Sequence, residues 1–232
     1  REKFLEFFRE RGHMIVPSSS LVPDDPSVLL TTAGMQQFKR YFTGELDPIK
    51  DFGSRRTASV QKSFRTSDIE EVGDETHLTF FEMLGHFSFG DYFKRETIEW
   101  TYALLTEVFS IVPERISATV FEGDKVISFD EESFTSWSRF LPRERIKRGS
   151  RRDGNFWGPA GSEGPCGASN EVYVDGVEVA TLVFMEYYCR TDKTLDPLTN
   201  RGVDVGWGFE RLAAMLQGVS SVFETDLFSS II

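Results

Sequence analysis

Residues 55–93 read RRTASVQKSFRTSDIEEVGDETHLTFFEMLGHFSFGDYF, and this stretch decides the fold that we expect. Two runs, Thr57–Phe64 and His77–Phe93, have strand character, and the loop between them carries five acids and one glycine. The pattern predicts a hairpin whose second strand is too apolar for an exposed sheet edge. Arg65 ends the first strand, and glycines in the second run leave room for close backbone approach. Taken alone, the stretch allows two interpretations: a buried hairpin with a surface arginine, which is the commoner arrangement, or an anion bound beside a flat ring.

The composition is that of an ordinary soluble globule. The chain has 232 residues, 40% hydrophobic, 14% aromatic and 27% charged, which suits one large domain or two small ones. It shows neither a run approaching the ~20 apolar residues of a membrane span nor a signal-peptide pattern, so we expect a cytoplasmic protein with no membrane partner. A net charge of −11 argues against broad nonspecific nucleic-acid binding. Because the chain opens on Arg1 inside a helical pattern, we expect a piece of a longer protein.

The two cysteines, Cys166 and Cys189, do not have metal-ligand spacing. We therefore expect a reducing compartment, and neither a disulfide framework nor a zinc site.

A basic segment follows in the second half of the chain. Residues 142–152, PRERIKRGSRR, hold six basic side chains. A solvated charged loop and a contact to phosphate or RNA are both compatible with this composition.

Elements predicted around the hairpin complete an antiparallel sheet flanked by helices, the α+β class. Apolar spacing predicts helices over Glu2–Arg11 and Lys94–Ser110, and Asp130 is expected to cap a short helix. Asp175-Gly176 is a hairpin turn signal. The predicted strands are His13–Val16, Val28–Leu30, Ile116–Phe121, Glu171–Val174 and Thr181–Tyr188, and residues 203–218 pass from strand into helix.

Two glycine-bearing segments are candidates for ligand contact. Residues 155–167, NFWGPAGSEGPCG, are too rich in glycine for a packed element, yet they carry Trp157, which is typical of a loop that closes over a small ligand. They lack the ending of a phosphate-binding P-loop. Gly206 and Gly208 would let backbone approach a ligand just before a helix that opens with Glu210-Arg211.

These segments together resemble the class II aminoacyl-tRNA synthetases. Arg65 with TFFEMLGHFSFGDYF (79–93) resembles motif two of the class, and GWGFER (206–211) resembles motif three. GHMIVPSSSLVPDDPSVLLTTAGMQQFK (12–39) and FWGPAGSEGPCG with LVFM resemble the alanine-specific branch, in the order found there. The resemblance covers residues 1–232 as one aminoacylation domain, without the tRNA-recognition helices and the editing domain of that branch.

The resemblance implies that L-alanine is activated by ATP with Mg²⁺ and then transferred to the 3′ end of alanine tRNA. Arg65 would hold the α-phosphate, and Arg211 would lie against adenine and the terminal phosphates, so these two are the expected catalytic residues. Phe87 would stack on the other face of the base and Met83 would lie near its edge. Glu171 would help to hold Mg²⁺. The full set expected to bind ATP is Arg65, His77, Met83, Phe87, Gly208 and Arg211.

For alanine, the resemblance implies that Asp204, beside Gly206, takes the ammonium group. Trp157 and Met35 match the walls of the side-chain pocket, and Thr181 stands at a substrate-contacting position. Such a pocket distinguishes alanine from glycine by one methyl group, roughly 10 to 200-fold, and rejects serine weakly. We therefore expect proofreading to take place elsewhere.

This chain departs from the branch at several positions. Ala180-Thr181 stands where Trp-Asn is common, and Thr76 begins the segment that is commonly Arg-His-His. Thr32 and Val205 replace a common Asn and Thr. These departures affect the expected turnover more than the expected fold. They also motivate two alternatives to an enzyme: a noncatalytic synthetase-like protein that binds ATP and an amino acid, and a plain structural domain.

Overall fold

The computed structural model describes residues 1–25, 28–67 and 69–232, and in them one large, mainly antiparallel sheet carries helices on its flanks. Eight strands lie in the order β1-β2-β3-β9-β8-β7-β4-β5, with a further short strand, β6, paired to β7. The pairs β1–β2 and β4–β5 are parallel and the others are antiparallel. The strands are β1 Met14–Ile15, β2 Arg56–Phe64, β3 Phe80–Phe89, β4 Ile116–Phe121, β5 Ile146–Gly149, β6 Phe156–Trp157, β7 Gly164–Val174, β8 Val177–Cys189 and β9 Leu195–Gly208.

The helices are short and lie mostly between strands. The α-helices are α1 Glu2–Arg9, α2 Lys39–Phe42, α3 Pro48–Phe52, α4 Lys94–Ala103, α5 Glu131–Trp137 and α6 Phe209–Gln217. The 3₁₀ segments are Gly34–Phe38, Pro113–Arg115, Arg143–Arg145 and Val222–Glu224, and a π-helical turn, Leu104–Val108, extends α4. Among the described residues we find no helix with the length and apolarity needed to cross a bilayer.

The predicted hairpin is confirmed as β2 and β3. They pair in continuous antiparallel register from Arg56 opposite Ser88 to Phe64 opposite Phe80. The other edge of β3 pairs with β9, so the apolar second strand lies inside the sheet, as its composition predicted. The predicted α+β class, an antiparallel sheet flanked by helices, is therefore confirmed.

One face of the sheet packs the larger core. Side chains alternate between the two faces of a strand, so Leu84 on β3, Val205 and Trp207 on β9 and Leu182 on β8 point the same way. All four are buried, and Phe4 of α1 packs on the same cluster. The helices α1, α4 and α5 supply much of the opposite wall of this core.

The core face also buries a chain of three polar rings. Tyr92 Oη lies 2.9 Å from His13 Nε2 and 2.9 Å from His86 Nδ1, and His13 Nδ1 lies 3.0 Å from the carbonyl oxygen of Phe8. Burial lowers the pKa of His13 to about 3 and lowers that of His86 as well, so both rings are neutral at pH 7. His13 Nδ1–H then donates to Phe8, and Tyr92 donates to His13 and accepts from His86.

Most of the other predicted elements are found, with shifted ends, but two predictions are wrong, and for the basic segment one of its two interpretations does not hold as stated. Val28–Leu30 is not a strand. The basic segment 142–152 is not simply a loop, because β5 takes its middle part and forms a sheet edge. The glycine-bearing segment 155–167 contains β6 and the start of β7 rather than loop alone. Strand pairing with neighbours outweighs the low strand propensity of glycine in that segment.

The cysteine prediction is also wrong. Cys166 and Cys189 form a disulfide, with their Cα atoms 6.0 Å apart. In the β7–β8 register Cys166 lies opposite Tyr187 and Cys189 lies opposite Gly164, so the two are diagonal neighbours on adjacent strands. Spacing along the chain carries no information about this pairing, and the cysteines give no support to a reducing compartment.

Candidate active site

A cavity of about 260 Å³ lies on the sheet face opposite the larger core. Strands β3, β9 and β8 form its floor, with Phe81 and Met83 on β3, Asp204 on β9 and Thr181 on β8. In register, Gly85 lies opposite Gly206, Gly206 opposite Thr181, and Thr181 opposite Glu171. The cavity lining is therefore the alternate set of residues on the same strands that build the core.

Gly206 lines the floor of the cavity beside Met83. A Cβ atom at this position would lie 2.8 Å from Met83 Sδ, closer than real contacts allow. Gly85 belongs to the second predicted strand, whose glycines were expected to leave room for close backbone approach, but its space is already occupied. Its missing side chain leaves space that the Phe87 ring fills, since a Cβ there would lie 2.6 Å from Phe87 Cζ. The absent side chain leaves room for Met83 at Gly206 and for Phe87 at Gly85, and of these two glycines only Gly206 lines the cavity.

Arg65 stands at one end of the cavity, where β2 ends. Its Nε donates to the carbonyl oxygen of Thr32 at 2.9 Å, and its backbone N–H donates to Thr79 at 2.8 Å. The guanidinium carbon lies 5.2 Å from the centroid of the Phe81 ring. The arginine is thus held beside an aromatic face, an arrangement suited to an anion carried on a flat ring.

Arg211 lines the same cavity from the first turn of α6. Its Nε donates to the carbonyl oxygen of Thr76 at 3.2 Å, and Nη1 donates to that of Glu178 at 3.4 Å. The Glu178 carboxylate lies 3.7 Å from Nη1. Arg65 and Arg211, from distant parts of the chain, therefore face one cavity of the size of a small ligand.

Asp204 is a buried carboxyl group on the cavity floor, 7% exposed. Burial raises its pKa to about 7, and the positive charge of Arg65 offsets this only in part. Among the described residues its carboxylate has no hydrogen-bond or ion-pair partner. A ligand ammonium group would supply the missing partner.

Two further carboxylates, Glu171 and Glu178, line the cavity. Burial raises the pKa of Glu171, and the negative charge of the nearby Glu178 raises it further. The Tyr173 hydroxyl, which donates a hydrogen bond to Glu171 at 2.6 Å, lowers the pKa and offsets part of this rise. Thr181 Oγ1 donates to Glu178 at 2.7 Å. Mg²⁺ is commonly held by one or two carboxylates together with substrate phosphates, and this pair fits that donor set. The described residues contain no cluster of three or more ligating side chains that would hold a metal alone.

His77 lies at the rim, and Asp74 holds it there. Asp74 Oδ2 lies 2.6 Å from His77 Nδ1, and Asp74 Oδ1 accepts the backbone N–H groups of Thr76 and His77. These hydrogen bonds, that of the Thr76 N–H first, lower the pKa of Asp74 to about 2. The rim segment is thus fixed by its own acidic residue.

The cavity brings together ten of the twelve residues that the sequence singled out. Phe87 is fully buried against Phe38, their ring centroids 4.5 Å apart, and lies outside the lining, so the expected stacking role for Phe87 is wrong. Met35 is 1% exposed in the same apolar cluster and also lies outside the lining, so its expected place in the pocket wall is wrong too. The ten that line the cavity are Arg65, His77, Met83, Trp157, Glu171, Thr181, Asp204, Gly206, Gly208 and Arg211.

Ten other described residues line the cavity and were not among the expected site residues, including Phe81, Glu178 and Val183. Phe81 places an aromatic ring at the cavity. It stands two residues before Met83, so the two side chains point to the same face of β3, and this alternation could have identified Phe81 from the sequence. Glu178 stands three residues before Thr181 and contacts it. Val183 lies opposite Asp204 in the β8–β9 register and adds an apolar wall beside the carboxylate.

The chain matches a known protein family along its whole length. The family model described as "tRNA synthetases class II (A)" matches residues 1–232. The chain is 48% identical to the Alanine--tRNA ligase of Rubrobacter xylanophilus and 46% identical to that of Thermotoga maritima, in each case over all of this chain. It spans 29% and 28% of the length of these two relatives.

Solved structures share the fold at low identity. A pyrrolysyl tRNA synthetase of Desulfitobacterium hafniense matches with a TM-score of 0.59 at 13% identity, covering 97% of this chain and 70% of that one. An aspartyl tRNA synthetase of Entamoeba histolytica matches with a TM-score of 0.55 at 16% identity, covering 98% of this chain and 56% of that one. At these identities the likeness concerns the fold alone.

Proposed function

We propose that this chain, which belongs to the class II tRNA synthetase family, is an adenylate-forming catalytic domain over residues 1–232 that activates L-alanine with ATP. The relatives named Alanine--tRNA ligase support alanine as the amino acid and alanine tRNA as the final acceptor. Because the chain spans less than a third of those relatives, we assign tRNA recognition and editing to parts outside it.

One observation carries the proposal: two arginines and a buried, unpaired carboxylate line a single cavity. Arg65 and Arg211 supply positive charge for phosphates, and Asp204 supplies negative charge for an ammonium group. A nucleoside triphosphate and an amino acid together present this combination of charges.

The proposed reaction needs positioning rather than proton transfer. A carboxylate oxygen of alanine attacks the α-phosphorus of ATP; the new O–P bond forms as the bond to the bridging oxygen breaks, and pyrophosphate leaves with that electron pair. In this proposal Arg65 stabilises the charge that develops on the α-phosphate, and Arg211 holds the leaving phosphates and one face of adenine. Phe81 takes the stacking role once expected of Phe87, with Met83 at the edge of the base.

We assign the alanine subsite to the Asp204 end of the cavity. The carboxylate would bind the ammonium group, and Trp157, Val183 and Thr181 would bound the methyl group. This enclosure favours alanine over glycine by one methyl group, about 10 to 200-fold. Because it admits a side chain one hydroxyl larger, serine is expected as a weak competing substrate.

The proposal includes Mg²⁺, for which the chemistry of Glu171 and Glu178 fits. When bound, Mg²⁺ supplies positive charge to the phosphates of ATP. The contribution of the chain is to hold the two carboxylates: Tyr173 hydrogen-bonds Glu171, and Thr181 hydrogen-bonds Glu178. Since Glu178 also contacts Arg211, the proposed metal ligand and the phosphate-binding arginine are held together.

ATP–pyrophosphate exchange tests the proposal. We expect alanine-dependent exchange that Arg65→Ala lowers by about 10³-fold, the size typical of losing a preorganised charge at the reacting group. Arg55→Ala is the matched control, because Arg55 is exposed one residue before the other end of β2 and should leave exchange unchanged. Exchange that does not depend on alanine would refute adenylation, and ATP binding without exchange would favour the noncatalytic alternative.

A further inference from the structure

Glu210 forms a contact that ordinary sheet pairing does not provide. Strand β9 ends at Gly208, opposite Met83, and the chain turns into α6. The next residue of β3, Glu82, would therefore lack a strand partner on that side. Its backbone N–H instead donates to Glu210 Oε1 at 2.9 Å. A side-chain carboxylate thus replaces the missing carbonyl of β9.

The contact is unusual because the carboxylate is buried and has no cation beside it. Glu210 is 8% exposed, and within the described part of the chain no lysine, arginine or histidine lies within ion-pair distance. Burial raises its pKa to about 7, and hydrogen bonds from the backbone N–H groups of Glu82 and of Glu210 itself reduce the rise. A buried carboxylate held only by N–H groups destabilises a fold relative to an apolar residue, so its presence at this position calls for a further role.

Its location suggests what that role is. Glu82 lies between Phe81 and Met83, which line the cavity from β3. Glu210 itself lines the cavity, and it precedes Arg211, which lines the cavity from α6. We propose that Glu210 is a positioning residue whose carboxylate fixes the first turn of α6 to β3, and so sets the Arg211 guanidinium at a fixed distance from the Phe81 ring. This inference rests on the proposed function, in which those two side chains hold the two faces of adenine.

The first test uses steady-state exchange kinetics. Glu210→Ala should raise the KM for ATP by about tenfold and leave the KM for alanine within about twofold, because one charge-assisted hydrogen bond is lost at the nucleotide end only. Glu210→Gln keeps an acceptor oxygen and should stay within about threefold of the parent chain. Glu210→Asp, whose side chain is shorter by one methylene, should behave like Glu210→Ala. It replaces Glu210→Ala in the test if the alanine variant does not fold.

Asp130→Asn is the matched control for stability. Asp130 is also a buried carboxylate in the first turn region of a helix, where it caps α5 and pairs with Lys94 at 2.8 Å. It does not line the cavity. Its substitution should lower the melting temperature without changing the ratio of the two KM values. An equal change of that ratio in Asp130→Asn and Glu210→Ala would overturn the positioning role.

Amide hydrogen exchange at Glu82 tests the contact without using activity. In Glu210→Ala the Glu82 amide should exchange at least about tenfold faster, whereas Glu210→Gln should retain its protection. Unchanged protection in Glu210→Ala, or equal rises in both KM values, would overturn the inference. If the parent chain showed no alanine-dependent exchange, the proposed function would fail, and the Glu82 amide rate alone would then decide whether Glu210 fixes α6 to β3.

Discussion

The two faces of the central sheet use alternate residues of the same strands, yet they differ in the state of their buried titratable groups. On the core face, burial keeps the rings of His13 and His86 neutral, and they hydrogen-bond Tyr92. On the cavity face, Asp204 and Glu210 have pKa values raised to about 7 and have no paired cation among the described residues. One face is thus insensitive to pH near neutrality, and the other is poised to take up or release protons.

The contrast teaches that burial alone does not identify a site in this molecule. Both faces bury titratable groups, but only the cavity face buries groups whose charge a ligand would complete. Substitutions on the core face should therefore act through the stability of the fold, and those on the cavity face through binding.

Trp207→Ala, on the core face, should have the largest effect. Trp207 is fully buried and packs edge-on to Phe4, their ring centroids 6.4 Å apart. Its removal should lower the free energy of unfolding by about 3–5 kcal/mol. Urea denaturation measures this loss. The matched control is Thr181→Ala on the cavity face, where we expect less than about 1 kcal/mol; equal losses at both positions would contradict the division.

Asp204→Asn should have the next largest effect, and mainly on binding. Loss of the charge pair with the ammonium group should raise the KM for alanine by about 100-fold, equivalent to about 2–3 kcal/mol, and leave the KM for ATP nearly unchanged. Urea denaturation at pH 8 should show a slightly more stable chain, because an unpaired buried charge is removed. Asp196→Asn is the control, an exposed aspartate of β9 paired with Arg190. Equal changes in both KM values would remove Asp204 from its proposed role.

A pH series should show the smallest effect, with opposite signs for stability and binding. The folded pKa values of Asp204 and Glu210 are raised, so the stability from protonation is full in acid and is lost as pH rises through about 7. From pH 6 to pH 8 the ligand-free chain should lose about 1 kcal/mol for each group. Over the same range kcat/KM for alanine should rise about tenfold, because only ionised Asp204 pairs with ammonium.

The two carboxyl groups can be separated in that series. Glu210→Gln should keep the pH dependence of kcat/KM for alanine and lose about half of the pH dependence of stability. Asp204→Asn should abolish the pH dependence of kcat/KM for alanine. A pH profile of kcat/KM that stayed flat in the parent chain would show that Asp204 is ionised throughout and that its burial does not control binding.

Much of this architecture could be predicted because it is local. The hairpin of β2 and β3, the Asp130 cap and the passage from β9 into α6 follow from apolar spacing and turn residues that are adjacent in the chain. The short strands β5 and β6 could not be predicted, since they exist only where a neighbouring strand pairs with them. The disulfide between Cys166 and Cys189 depends on the same kind of register information.

Phe81 and Phe87 show where prediction of the site stops. They lie on the same face of β3, so alternation along the strand treats them alike. Phe87 is covered by the 3₁₀ segment Gly34–Phe38, through Phe38, whereas Phe81 is left at the cavity beside Arg65. Which ring meets a ligand depends on the path of a distant covering segment. The path of that segment cannot be predicted from residue type and spacing along β3.

The placement of β9 between β3 and β8 has a consequence for synthesis on the ribosome. Strand β3 is complete at Phe89, but its partner residue Asp204 emerges more than a hundred residues later. At a synthesis rate of about 5–20 residues per second, the edge of β3 that pairs with β9 stays unpaired for on the order of ten seconds. During that interval a long, apolar, unpaired edge is available to other nascent chains. The arrangement that assembles the cavity therefore also leaves this strand edge exposed to wrong pairing until β9 has been synthesised.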